Sequence, residues 1–157
     1  MIRQLFCVAA TVAALTTPLT AQDFTALQVT GEDGVTTDFA IAELDALAQI
    51  TITTTTIWTE GEVTFTGPSL SSVLDAAGIS SDDLTLTALN DYAIEMPAPD
   101  ADATYPIVAT RLDGETMPVR DKGPFWIVFP YDSDPQFQTE TIYAQSIWQL
   151  DRIEALD

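Results

Sequence analysis

Short alternating runs dominate the chain and helical spacing is rare. "FTALQVT" (24–30) reads as a first strand, "GEDG" (31–34) as a turn, and Val35–Phe39 as a second strand. Ile41, Leu44, Leu47 and Ala48 recur at the spacing of one helix face. "ITITTTTIW" (50–58) is β-branched almost throughout and predicts a strand, with "VTFTG" (63–67) returning beside it as a hairpin partner. The clearest helix is "GPSLSSVLDAAG". There Ser69 can cap, Leu70, Val73, Leu74 and Ala77 form one apolar face, and Gly78 stands where a left-handed closing residue belongs.

"LTLTAL" (84–89) and "AIEM" (93–96) alternate as strands on either side of the break "NDY" (90–92). "IVATRL" and "MPV" flank "DGET", which predicts a hairpin over 107–119. "FWIVF" (125–129) has no polar alternation and should be buried on both faces. After a loop over "DSDPQFQTET", "IYAQS" reads as one helical turn and "WQLDRIEAL" as a closing strand. Strands that do not alternate regularly with a few short helices predict an α+β domain with a mixed β-sheet.

The first 21 residues read differently. Arg3, an apolar run from Leu5 to Leu15 and the small-residue stretch "TTPLTAQ" follow the order of a secretory signal peptide, with cleavage expected after Ala21. Residues 22–157 then form a single domain, and the protein is expected to be periplasmic or secreted. The apolar run is too short to span a bilayer, so no membrane insertion is expected. Cys7, the only cysteine, leaves with this segment, and the chain contains no histidine. Thiolate and imidazole metal sites and His- or Cys-based nucleophile systems are therefore excluded from the processed chain, and no metal ligands are assigned.

Charge narrows the partners further. The chain carries five cations and 24 acidic residues, a net charge of −19, and loss of Arg3 makes the processed form one unit more negative. Nucleic acid is excluded as a partner. Against that background Arg111, Arg120 and Lys122 fall within twelve residues. Two readings stand: a binding patch for an anionic small ligand or a partner protein, or local ion pairs with Asp113, Glu115 and Asp121. Asn90, Asp91 and Tyr92 form either a turn with an inward tyrosine or the rim of that same pocket. The pairs Asp100/Asp102 and Asp132/Asp134 lack the rest of a calcium loop and read as solvated charge. Trp58, Trp126 and Trp148 read as core. Met96 and Met117 would be soft ligands only if they converged.

Four stretches together carry a resemblance: "FTGPSLSSVLDAAGI", "LTALNDYAIEMP", "DGETMPVRDKGPFWIVFPYD" and "WQLDRI". In this order they resemble small stand-alone exported members of the oxidoreductase molybdopterin-binding domain family, which has the sulfite-oxidase fold. The resemblance implies that fold, a molybdopterin cofactor and redox chemistry. Catalytic members hold the metal through a cysteine placed after an early strand corresponding to "ITITTTTIW", and this chain has Thr53 to Thr56 there. A neutral hydroxyl is a hard, weak substitute for a soft thiolate. The expectation is a ligand-binding, sensing or partner module with no catalytic residue assigned. A molybdopterin-dependent oxidoreductase is the alternative and a structural interaction domain the second. Export is testable by intact mass: protein from the exported fraction should begin at Gln22, and a species retaining Met1 would sink the assignment.

Overall fold

A computed structural model describes residues 26–156; the expected leader lies outside these residues. Along the chain come β1 (Ala26–Thr30), β2 (Thr36–Ala40), α1 (Ile41–Ala46), β3 (Gln49–Thr55), β4 (Glu62–Pro68) and α2 (Leu70–Ala76). Then follow β5 (Asp83–Ala88), β6 (Ala93–Pro97), β7 (Ile107–Ala109), β8 (Arg111–Leu112), β9 (Glu115–Thr116) and β10 (Trp126–Val128). The last elements are α3 (Glu140–Gln145) and β11 (Leu150–Leu156), with 3₁₀ turns at Val119–Asp121 and Pro135–Phe137. The architecture is α+β, with mixed sheet and few short helices.

Among the described residues the strands form three sheets. The largest has the order β2-β1-β11-β5-β6, in which β1 and β11 run parallel and every other neighbour antiparallel. The closing strand thus inserts beside the opening one, joining the two ends of the domain. A second sheet, β3-β4-β8-β9, is antiparallel throughout. The third is a ribbon of β7 and β10 alone, and all six of its residues are completely buried. That matches the expectation for "FWIVF": without polar alternation, the strand has no face to give to water.

One contiguous core draws on all three sheets. It takes Leu27, Val29, Leu84, Leu86 and Ile153 from the five-stranded sheet, Ile52 and Phe65 from the four-stranded one, and the whole ribbon. The chain passes between sheets at Thr110, whose N–H donates to the Thr66 carbonyl. This crossing is why 107–119 is not one hairpin. β7 pairs with β10, the short β8–β9 turn pairs with β4, and "MPV" goes into the 3₁₀ turn instead of a strand. Close packing explains Gly67 here: a Cβ at that position would lie 2.0 Å from the Val108 carbonyl oxygen.

α2 follows its sequence closely. The Ser69 hydroxyl accepts from the Ser72 N–H, Leu70, Val73 and Leu74 are buried, and Gly78 takes a left-handed φ of 71°. β3 ends three residues earlier than its β-branched run suggests, because the Thr56 hydroxyl accepts the Trp58 N–H and turns the chain. α3 starts at Glu140 rather than with "IYAQS", since the Thr139 hydroxyl accepts from the Ile142 N–H and sets the first turn.

Leu74→Ala should cost about 2–5 kcal/mol, as a buried large-to-small change. Ser72→Ala, on the half-exposed side, should cost less than about 1 kcal/mol. Chemical denaturation compares the two, and equal losses would place the buried face of α2 wrongly. Gly67→Ala should yield little folded protein.

Candidate functional site

A cleft of about 370 Å³ lies between the turn that joins β5 to β6 and the segment from α3 to β11. Trp58, Tyr92, Tyr143 and Trp148 supply its aromatic walls, and Asn90 and Gln149 its amide groups. No residue lining it carries a charge. Its size is at the lower end of the range usual for small-molecule sites.

Each wall has a local cause. The Asn90 side chain accepts the Tyr92 N–H, and Asp91 adopts a left-handed φ of 63°, a tight turn that leaves Tyr92 54% exposed. Trp58 follows the turn that ends β3 and packs edge-on against Trp126, Tyr131, Tyr143 and Trp148, with ring centroids 5.5–6.1 Å apart. Its ring meets Tyr143 at 90° and Trp148 at 71°. Gln149, at φ 51°, ties three segments together. Its carbonyl accepts the Leu89 N–H, its own N–H donates to the Lys122 carbonyl, and its side-chain amide donates to the Val119 carbonyl.

Beneath the cleft lies a buried polar relay. The Trp126 indole N–H donates to the Ser146 carbonyl at 3.2 Å. The Tyr131 hydroxyl donates to the Ser146 hydroxyl at 2.7 Å, and that hydroxyl donates in turn to the Ile142 carbonyl. Burial pushes the Tyr131 pKa up to about 12, so it stays a neutral donor at any physiological pH.

The three tryptophans read as core from sequence therefore divide. Trp126 is fully buried, Trp58 is half-buried at the cleft, and Trp148 is 37% exposed. The sequence signal for the other two was their position at strand ends rather than inside apolar runs.

The cations expected to form a patch have separate partners. Arg111 bonds the Asp45 carboxylate of α1 and the Thr110 carbonyl. Arg120, its side chain 86% exposed, approaches only its neighbour Asp121, at 3.4 Å. Lys122 has a left-handed φ of 72° and holds its ammonium 5.8 Å from the Trp126 ring centre. Gly123 serves close approach rather than a positive φ: a Cβ there would lie 1.8 Å from the Met117 carbonyl oxygen. Asn90 and Tyr92 line the cleft, whereas Asp91 pairs with Arg152 at 2.8 Å. The turn bearing Arg120 and Lys122 meets the cleft only through its backbone bonds to Gln149. Met96 and Met117 are both buried, on β6 and after β9.

The threonine run forms a second constellation. The Thr53 hydroxyl pairs with that of Thr64 at 3.1 Å, and the Thr54 hydroxyl donates to the Thr55 carbonyl and accepts the Asp132 N–H. The Thr55 N–H and hydroxyl both donate to the Asp132 carboxylate. The Thr56 hydroxyl pairs with that of Thr59 at 2.8 Å. Asp132, read from sequence as solvated charge, is thus a clamp between β3 and the loop after the buried ribbon, while Asp134 caps the following 3₁₀ turn through the Gln136 N–H. Among the described residues no group of three or more acidic, His or Cys side chains could hold a metal, and no helix is long and apolar enough to cross a membrane.

The fold and cleft define an α+β domain with an uncharged aromatic pocket. The sequence matches no family model and no curated protein. Among solved structures, the fold is similar to the sulfane dehydrogenase SoxCD from Paracoccus pantotrophus, with a TM-score of 0.61 and 16% sequence identity. The likeness covers 85% of this chain but only 38% of that one. At that identity it defines the fold as distantly related and nothing of the chemistry.

The Thr55 N–H and hydroxyl hold the Asp132 carboxyl below its ordinary value of 3.8. A depressed acid contributes stability that is fully present above its unfolded pKa and lost as pH falls through the folded one. Unfolding midpoints measured from pH 7 down through the carboxylate range should therefore fall less steeply for Asp132→Asn than for the parent. Parallel profiles would deny the clamp a role in folding.

Proposed function

We propose that the chain is an exported, non-catalytic ligand-binding module built on the scaffold of a molybdopterin-binding domain, with the aromatic cleft as its binding site. The distant fold likeness to SoxCD and the four sequence stretches named above support the scaffold. The observation that carries the non-catalytic reading is the donor set at Thr53 to Thr56. All four are hydroxyls, and each is already hydrogen-bonded inside the protein. Ligation by Thr54 or Thr55 would break the clamp to Asp132 and substitute a hard neutral oxygen for a soft anionic sulfur. These residues do not fit the metal centre of the catalytic family, and no redox step follows from them.

An anionic ligand held by Arg111, Arg120 and Lys122 has weaker support than the cleft. Arg111 is engaged with Asp45, and none of the three lines the cleft. Arg120, free of all but a long contact to its neighbour, fits the acidic face of a partner protein better than a small anion.

Protein purified from its own host should contain far less than stoichiometric molybdenum and should not reduce artificial electron acceptors with sulfite or a sulfoxide as co-substrate. Thr54→Cys and Thr55→Cys should not create such activity. Stoichiometric molybdenum with turnover above the uncatalysed rate would reverse the reading in favour of an oxidoreductase.

A further inference from the structure

β3 is an edge strand: the four-stranded sheet runs β3-β4-β8-β9, and among the described residues no strand pairs with its outer side. Which of its backbone groups face outward follows from a few hydrogen bonds. The Thr55 N–H donates away from β4, to Asp132, while Thr110 and Asp113 donate to the Thr66 and Thr64 carbonyls on the far side of β4. In an antiparallel pair, residues alternate between bonding the partner strand and turning away from it. Thr64 and Thr66 turn away, so their opposites Thr53 and Thr51 do as well, and the alternation extends to Gln49. Pro68, which has no N–H to give, stands opposite Gln49 as that pattern requires. The N–H and C=O groups of Gln49, Thr51 and Thr53 therefore point out of the sheet, and none has a hydrogen-bond partner among the described residues.

An open edge is a template for another strand, and proteins ordinarily blunt it with charge, proline or shortness. The other exposed edges of this molecule are blunted. β2 carries Asp38, β6 carries Glu95 and ends at Pro97, and β9 is two residues long with Glu115. β3 has none of these devices: it is seven residues long and β-branched at every position but Gln49. It lies within residues 46–59, the longest stretch without a charged side chain among the described residues. We infer that β3 is a dimerisation edge, pairing antiparallel with β3 of a second copy of this chain about a two-fold axis at Thr51.

Register and local charge both select a second copy. Asp132 fills the edge at Thr55, which leaves Gln49, Thr51 and Thr53 as the outward residues open to pairing. Centred on Thr51, the pairing sets Thr51 opposite Thr51 and Gln49 opposite Thr53, so that every open N–H and C=O of both edges is bonded. The half-buried Ile50 then faces Ile52 of the other copy across a close, non-hydrogen-bonded pair. As to charge, a cationic segment would find its complement at Asp38 on β2 or Glu95 on β6, and β3 offers it nothing. A strand free of charge matches another free of charge, and the second copy brings one of the same length and spacing. The two four-stranded sheets then join into one of eight strands. Contact through one strand from each copy is a small interface and makes a weak dimer.

Sedimentation velocity of the exported protein from about 10 μM to about 1 mM, in about 0.5 M sodium chloride to screen repulsion between copies, should show a dimer fraction that rises with concentration. Amide hydrogen exchange at Gln49, Thr51 and Thr53 should slow over the same range. Thr51→Pro removes an outward N–H without touching the ladder to β4, and should weaken the dimer at least about tenfold. Thr51→Lys and Thr51→Glu each set like charges against themselves across the axis, so each should be monomeric alone and the two should associate when mixed. If Thr51→Pro fails to fold, the charged pair decides, since Thr51 is an exposed position. A parent protein still monomeric at about 1 mM would overturn the inference. A dimer retained by Thr51→Lys and Thr51→Glu alone, or formed with unchanged exchange at the three amides, would rest on another surface and overturn it too. So would a mixture of the charged variants that stays monomeric.

Discussion

The ribbon of β7 and β10 has no face in water, and this constraint governs the rest of the molecule. Six consecutive-layer residues, Ile107–Ala109 and Trp126–Val128, are fully buried, so every polar atom they bring inside must find a partner inside. The backbone partly solves this within the ribbon. The Trp126 indole N–H cannot be met there, and neither can the Tyr131 hydroxyl just beyond the strand. Both converge on Ser146, which hands the hydrogen bond on to Ile142. A buried polar group left unmatched costs about 1–3 kcal/mol, enough to make the 142–146 segment follow the ribbon.

The cleft is a consequence of that anchoring. Tyr143 and Trp148 flank Ser146 on either side in the chain. Their rings pack against Trp58, which the threonine turn at the end of β3 delivers to the same place. Gln149 then closes the rim by bonding the β5–β6 turn and the Val119–Lys122 turn at once. A left-handed φ at a non-glycine residue is uncommon, and here three separate hydrogen bonds hold it. The core thus sets the position of the aromatic walls, and surface loops only complete them.

Local features were legible in the sequence wherever neighbours in the chain decide the outcome. The Ser69 cap, the Leu70–Val73–Leu74 face, the turn at Asn90–Tyr92 and the double burial of "FWIVF" depend on periodicity and short-range hydrogen bonding. The cleft was not legible, because Trp58, Tyr92, Tyr143 and Trp148 are scattered along the chain and share no period. The role of Asp132 was hidden for the same reason: its partners Thr54 and Thr55 are 78 and 77 residues away. Arg111 looked like one of three clustered cations, yet its partner Asp45 belongs to α1, 66 residues earlier. Clustering in sequence is a weak guide to convergence when a chain changes sheets, as this one does at Thr110.

The disposition of the described cations carries the electrostatic argument one step further. Arg111 bonds Asp45, Arg152 bonds Asp91 and Asp151, Arg120 touches Asp121, and Lys122 lies over Trp126. Arg111, Arg152 and Lys122 are matched or covered locally and Arg120 stays largely exposed, so against 24 acidic residues the negative field extends over the surface. Within about a Debye length of ~8 Å at physiological salt, that field acts on whatever approaches the cleft mouth. Of the rings at the cleft, Trp58 and Trp148 pack on Trp126 of the buried ribbon and Tyr143 packs on Trp58, whereas Tyr92 is set by the surface turn at Asn90.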